Sequence, residues 1–77
     1  MINKYNETYI TIGKNLRKFR NSKKLTQEQL AQIIPKMDRA KISKIENAQA
    51  DFMLSKILQI CSALEIDLSE LLKPVDD

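Results

Sequence analysis

Residues 25–47 read LTQEQLAQIIPKMDRAKISKIEN, and their pattern decides the fold: two short helices joined by a tight connection. Thr26 opens the first helix. Gln29 follows three residues later, the spacing of a capping box in which each side chain satisfies the other residue's backbone N–H. Leu30, Ala31, Ile33 and Ile34 recur at helical offsets and make one side apolar, while Gln27, Glu28 and Gln32 face water. Pro35 ends the run, because it offers no N–H and pushes Ile34 out of the helical region. Asp38 is the N-cap of the second helix, where its carboxylate accepts from a first-turn N–H and complements the helix dipole. The body of that helix runs from Arg39 to about Asn47. At about 100° per residue, with Ile42 and Ile45 turned inward, the opposite side carries Ala40, Ser43, Lys44 and Asn47, flanked by Arg39 and Lys41.

Charge is divided between the two halves of the chain. Residues 14–44 hold ten Lys or Arg against two acidic residues, Glu28 and Asp38, whereas residues 45–77 hold two basic and seven acidic residues. That division, +8 against −5, is more informative than the net charge of +3, since an evenly mixed polar helix face is usually only solvated. A basic half is an electrostatic footprint for phosphate. Lys56, on the segment after this pair of helices, is expected to stand away from it.

Around the central pair the remaining chain reads as three more helices. Tyr9, Ile12, Leu16 and Phe19 mark an amphipathic first helix over about residues 9–21, with Lys14, Arg17 and Lys18 off its apolar stripe. Met1 to Thr8 shows no sustained period and reads as a flexible arm, although Tyr5 and Tyr9 are placed to pack back. Asp51 is the expected cap of a fourth helix reaching Leu64, with Leu54, Ile57, Leu58, Cys61 and Leu64 inward. Asp67 and Glu70 have capping-box spacing and open a short fifth helix, Leu68 to Leu72. Pro74 ends the structure, and residues 74–77 form an acidic tail. The expectation is an all-α, compact five-helix bundle occupying residues 9–73 as one domain.

Several chemistries are excluded by what the 77 residues contain. There is no histidine, and the one cysteine, Cys61, has no partner for a disulfide or a metal, so no metal site or zinc finger is expected. Cys61 reads as a small core residue. General acid–base and nucleophilic sites draw on histidine, paired carboxylates or an activated Cys or Ser; here the carboxylates are scattered at helix ends, and neither catalytic residues nor a cofactor are expected. No apolar run approaches the roughly 18 to 20 residues of a membrane span, and the first residues lack a signal-peptide core. A cytoplasmic location is expected.

The ordered set of Leu16, Arg17 and Arg20, LTQEQLA at 25–31, ISKIEN at 42–47 and LSKILQICSALEIDLSELL at 54–72 resembles the Cro-like, Xre-type family of phage-repressor helix-turn-helix regulators. The match runs from about Ile12 to Leu72. It implies a lambda-repressor-like five-helix domain that binds double-stranded DNA, with the helix from Arg39 in the major groove and the helix from Gln27 across the backbone. Carried over position by position, Arg39, Ala40 and Lys44 are the base-reading residues, and Gln27 and Asn47 bind phosphate, with Lys41 and Ser43 as secondary phosphate contacts. Arg20 and Glu46 align with an ion pair that ties the first helix to the recognition helix. A repressor is expected, and because one recognition helix reads too few base pairs it is expected to act as a homodimer on a palindromic operator. The expected dimer surface is around Leu68, Leu71, Leu72 and the exposed edge of the fourth helix, because the basic half would repel its copy. The alternative reading is an antitoxin or protein-interaction module with a protein partner, which would usually need an added neutralising segment.

The chain departs from the family pattern at three places. The connection Ile34-Pro35-Lys36-Met37 is one residue longer than usual and lacks glycine, and Ala48 and Glu65 stand where glycine commonly ends the third and fourth helices. With Gly13 the only glycine, these two helix ends are expected to be capped in a different way.

Overall fold

The structure is a computed structural model that describes residues 6–75. Five helices follow in order: α1 (Asn6–Ser22), α2 (Gln27–Ile33), α3 (Arg39–Glu46), α4 (Leu54–Leu64) and α5 (Leu68–Leu72). No strand occurs among the described residues. Local signals place most boundaries. Thr26 Oγ1 accepts from the Gln29 N–H at 3.0 Å while Gln29 Oε1 accepts from the Thr26 N–H at 2.9 Å, and Asp67 with Glu70 forms the second capping box. Asp38 Oδ1 accepts from the Lys41 N–H at 2.8 Å and caps α3. Ile34 is extended (φ −104°, ψ 127°), as the residue before a proline must be.

Two boundaries differ from the sequence reading. α1 begins at Asn6, so Asn6 to Thr8 of the expected arm are helical; Met1 to Tyr5 lie outside the described residues. Tyr9 supplies the reason. Its ring stacks on Phe52 at 4.9 Å between centroids, and its hydroxyl donates to Asp51 Oδ1 at 2.5 Å, which anchors the first turns of the helix to the loop before α4. Asp51 is thereby diverted from the capping role expected of it. It accepts from Tyr9 and from the Phe52 N–H, and α4 starts at Leu54 behind Met53 with no side-chain cap.

Leu16, Leu30, Ile42, Ile57, Ile60, Leu64 and Leu71 are fully buried and come from all five helices. On α4 the inward face is Ile57, Ile60, Cys61 and Leu64, a phase that includes Ile60 and leaves Leu54 and Leu58 exposed, contrary to the expected stripe. Leu71 belongs to this core at 0% exposure and cannot be a dimer-surface residue; Leu68 packs against the core, and Leu72 alone of the three is exposed. The burial of α5 follows from Asn15, itself buried on α1, whose Nδ2 donates to the carbonyls of Leu71 and Lys73 at 2.8 Å each. A short helix leaves its last carbonyls without partners. Asn15 satisfies two of the carbonyls at this end and draws the helix onto α1.

The helix ends without glycine close as glycine ends do, not differently. Ala48 (φ 55°) and Glu65 (φ 60°) both take the left-handed conformation. Behind them Gln49 N–H bonds to Lys44 O at 2.8 Å and Ile66 N–H to Cys61 O at 3.0 Å, the 6→1 bond of a Schellman motif. Lys24 (φ 58°) ends α1 in the same way, with Leu25 N–H on Arg20 O at 3.2 Å. Lys36 (φ 56°) turns the lengthened connection between α2 and α3. Each such residue costs roughly 1 to 2 kcal/mol relative to right-handed backbone, a cost offset at the three helix ends by the carbonyls these bonds satisfy.

The one glycine serves an approach, not a turn. A Cβ on Gly13 would lie 2.5 Å from the carbonyl oxygen of Glu46 and 2.6 Å from that of Ile45. Only a residue without a side chain lets α1 lie directly against the C-terminal end of α3.

Candidate nucleic-acid interface

The position of α3 is set from inside by Glu46. Its side chain has no exposure, and its carboxylate collects donors from two other helices. Arg20 Nε donates to Oε2 at 2.6 Å and Arg20 Nη2 to Oε1 at 3.1 Å. Gln27 Nε2 reaches Oε1 at 3.1 Å, and Arg17 Nε reaches it at 3.3 Å. Burial of the Glu46 carboxyl works to raise its pKa, but the bonds from Arg20, Gln27 and Arg17 and the Arg20 charge outweigh burial and hold it below its ordinary value. Arg20 also donates through Nη1 to the Leu25 carbonyl at 2.7 Å, fixing the segment that enters α2. The ion pair implied by the resemblance is thus present, buried, and joined to both elements that flank α3.

With Ile42, Ile45 and Glu46 turned inward, the outer face of α3 presents Arg39, Ala40, Lys41, Lys44 and Asn47 to solvent, with Ser43 half-buried among them. Asn47 Nδ2 donates to the Ser43 carbonyl at 2.9 Å and lies 3.4 Å from its Oγ, while its Oδ1 accepts from Arg17 Nη2 at 2.8 Å. Gln27, half-buried at the start of α2, is drawn to the same carboxylate as Arg17. Gln27, Ser43 and Asn47 therefore sit in one hydrogen-bonded group, with Arg39, Ala40, Lys41 and Lys44 on the exposed surface beside it. Leu68, Leu71 and Leu72 lie on α5, apart from this face.

Lys56 does not stand apart as expected. Its Nζ donates to the Pro35 carbonyl at 2.8 Å, and together with Lys41 and Lys44 it lines a cleft of about 250 Å³ whose apolar lining is Met37, Ile45, Phe52 and Met53. A lysine placed one turn into α4 points back toward the α2–α3 connection, which one-dimensional spacing cannot reveal. Sequence reading also missed Arg17 as a partner of Glu46 and Asn47, and Gly13 and Asn15 as the residues that seat α1 on α3 and α5. For Arg17 a signal existed: it precedes Arg20 by three residues and so lies on a neighbouring face of the same helix.

Comparison with known proteins agrees with this architecture. A helix-turn-helix family model matches residues 16–71. No curated protein matches significantly. Among solved structures, the chain is similar to the restriction-modification controller protein C.AhdI from Aeromonas hydrophila, with a TM-score of 0.80 and 32% identity, over 90% of this chain and 99% of that one. With its capped α2–α3 pair, its cationic outer face and a family match across most of its length, the chain belongs to the Xre/Cro-like helix-turn-helix family of DNA-binding transcriptional regulators.

Proposed function

We propose that the protein is a repressor that reads a palindromic operator as a homodimer in the cytoplasm, with α3 in the major groove. The observation that carries this reading is the pairing of an outward cationic face on α3 with a buried carboxylate that locks the helix to α1 and α2. Arg39 and Lys44 donate to guanine O6 and N7, and the Ala40 methyl meets a thymine methyl. Gln27, Lys41, Ser43 and Asn47 hold backbone phosphates and set the register. The likeness to a restriction-modification controller favours control of such genes over the antitoxin alternative, and the family is one of regulators, which sets the enzyme class aside.

Selection of bound sites from random DNA, followed by fluorescence anisotropy, tests the assignment. Lys44→Ala should lose about 1 to 3 kcal/mol on the selected site and relax preference at one position of each half-site. Lys73→Ala, which removes one charge beyond α5, should change little. Arg39→Ala should act like Lys44→Ala at a neighbouring position. Equal small losses for all three variants, with sequence preference retained, would refute α3 as the recognition helix.

A second copy is required because one helix reads too few base pairs; half-sites one turn apart, about 34 Å centre to centre, match a two-fold dimer. Of the expected dimer surface, Leu71 drops out with the core, and the exposed edge of the fourth helix is the part we assign to the partner copy: Met53, Leu54 and Leu58 there are 69%, 62% and 47% exposed. Leu58→Glu should leave the fold intact, since the side chain is exposed, yet sediment as a monomer and bind the operator more weakly. A Leu58→Glu protein that remains dimeric would exclude this face.

A further inference from the structure

We infer that the cleft between α1 and the C-terminal end of α3 is a phosphodiester site, with Arg17 its principal donor, so that the DNA footprint extends beyond α3 onto α1. The inference rests on the reading of α3 as the recognition helix and adds a contact to it.

The cleft has a volume of about 190 Å³ and is lined by Ile10, Lys14, Arg17, Glu46, Asn47 and Ala48. Its charge does not balance. One carboxylate, Glu46, faces two guanidinium groups. Arg20, with 11% of its side chain exposed, takes the closer pair of bonds, while Arg17 makes a longer bond at 3.3 Å and is 48% exposed. Two positive charges against one negative leave a net positive charge, and the geometry delivers it to solvent at Arg17 rather than at the buried Arg20.

The guanidinium is also aimed. Nε is held by Glu46 and Nη2 by Asn47 Oδ1, so the planar group is fixed by two bonds and Nη1 has no partner among the described residues. A guanidinium held in this way offers a donor edge without the ordering cost of a free side chain. Asn47 is itself a proposed phosphate ligand but a neutral one; Arg17 places a full charge beside it. Lys14 lines the same cleft one turn earlier on α1. The shape, the excess charge and the donor edge fit a singly charged, solvent-borne phosphodiester oxygen.

A purely structural role for Arg17, as a supporting partner of Glu46, gives a different result in a salt titration. Arg17→Gln, measured on the selected site and on scrambled DNA, should lose about tenfold in affinity on both at roughly 0.1 M salt, with a salt slope shallower by about 0.9. Substituting single phosphates with neutral methylphosphonates should weaken the unmodified protein at one phosphate per half-site where Arg17→Gln is indifferent. Arg17→Lys keeps the charge and should keep the slope. A thermal shift for Arg17→Gln with unchanged slope and unchanged methylphosphonate profile, while Lys44→Ala still loses sequence preference, overturns the inference and leaves the recognition helix standing. A Lys variant whose slope falls as far as that of the Gln variant overturns it too. If Lys44→Ala is also without effect, both the inference and the reading beneath it fail.

Discussion

Replacement of Glu46 by alanine is expected to lower the thermal midpoint by at least about 12 °C, the largest effect foreseen for any polar residue of this chain. Removing one member of a buried ion pair costs on the order of 3 to 5 kcal/mol, because its partner is left charged and uncompensated, and a domain of this size shifts by about 4 to 8 °C per kcal/mol. Here the loss is compounded. Arg20 keeps only its bond to the Leu25 carbonyl, and Arg17 and Gln27 each lose an acceptor. The same carboxylate makes stability depend on pH. Its folded pKa lies below the ordinary value of 4.5, so the folded state binds fewer protons at this group than the unfolded chain does. Its contribution is complete above about pH 4.5 and is lost as the pH falls toward and through the folded value. In denaturant melts the gap between Glu46→Gln and the unmodified protein should be widest at pH 7 and should narrow progressively as the pH is lowered below 4.5. A gap that stays constant across this pH range would mean that ionisation of Glu46 is not linked to folding.

Gly13→Ala is expected to destabilise the fold even though alanine is the better helix former. Within α1 the exchange contributes about 0.5 to 1 kcal/mol in favour of the variant. Against this, the added methyl carbon meets two carbonyl oxygens and a carbonyl carbon of α3 at 2.5, 2.6 and 2.9 Å. All three are backbone atoms at a helix end that Arg20 and Arg17 pull toward α1, so relief requires the two helices to separate. Overpacking of this kind costs about 1 to 3 kcal/mol and occasionally more, and separation would also lengthen the bonds to Glu46. The net loss should be about 2 kcal/mol, or roughly 8 to 16 °C in midpoint, with weakened DNA binding in the fraction that stays folded. A variant that melts at or above the unmodified protein would show that α1 and α3 do not approach so closely.

These two residues separate what sequence could settle from what it could not. The helices at 27–33, 39–46 and 68–72, with their caps at Thr26, Asp38 and Asp67, were legible because each depends on partners within four residues, and the proline break depends on one. The outward set on α3 was legible for the same reason: once Ile42 and Ile45 are inward, helical geometry places the remainder. The Arg20–Glu46 pair came from resemblance, since its members are 26 residues apart. Other features required the packed structure. The phase of α4 turns on Ile60 rather than Leu54 or Leu58, and an apolar repeat alone does not say which of two adjacent stripes meets the core. Asp51 was a good cap by type but met Tyr9, 42 residues away. Leu71 looked available for a partner until Asn15 drew α5 onto α1, and Lys56 looked remote until α4 folded back over the α2–α3 connection. Short-range hydrogen bonds and steric limits act before the chain knows its neighbours, so sequence determined the elements, the fold class and the outward face of α3. The choice among competing partners for a side chain depends on distances between helices, and these exist only once the core has closed.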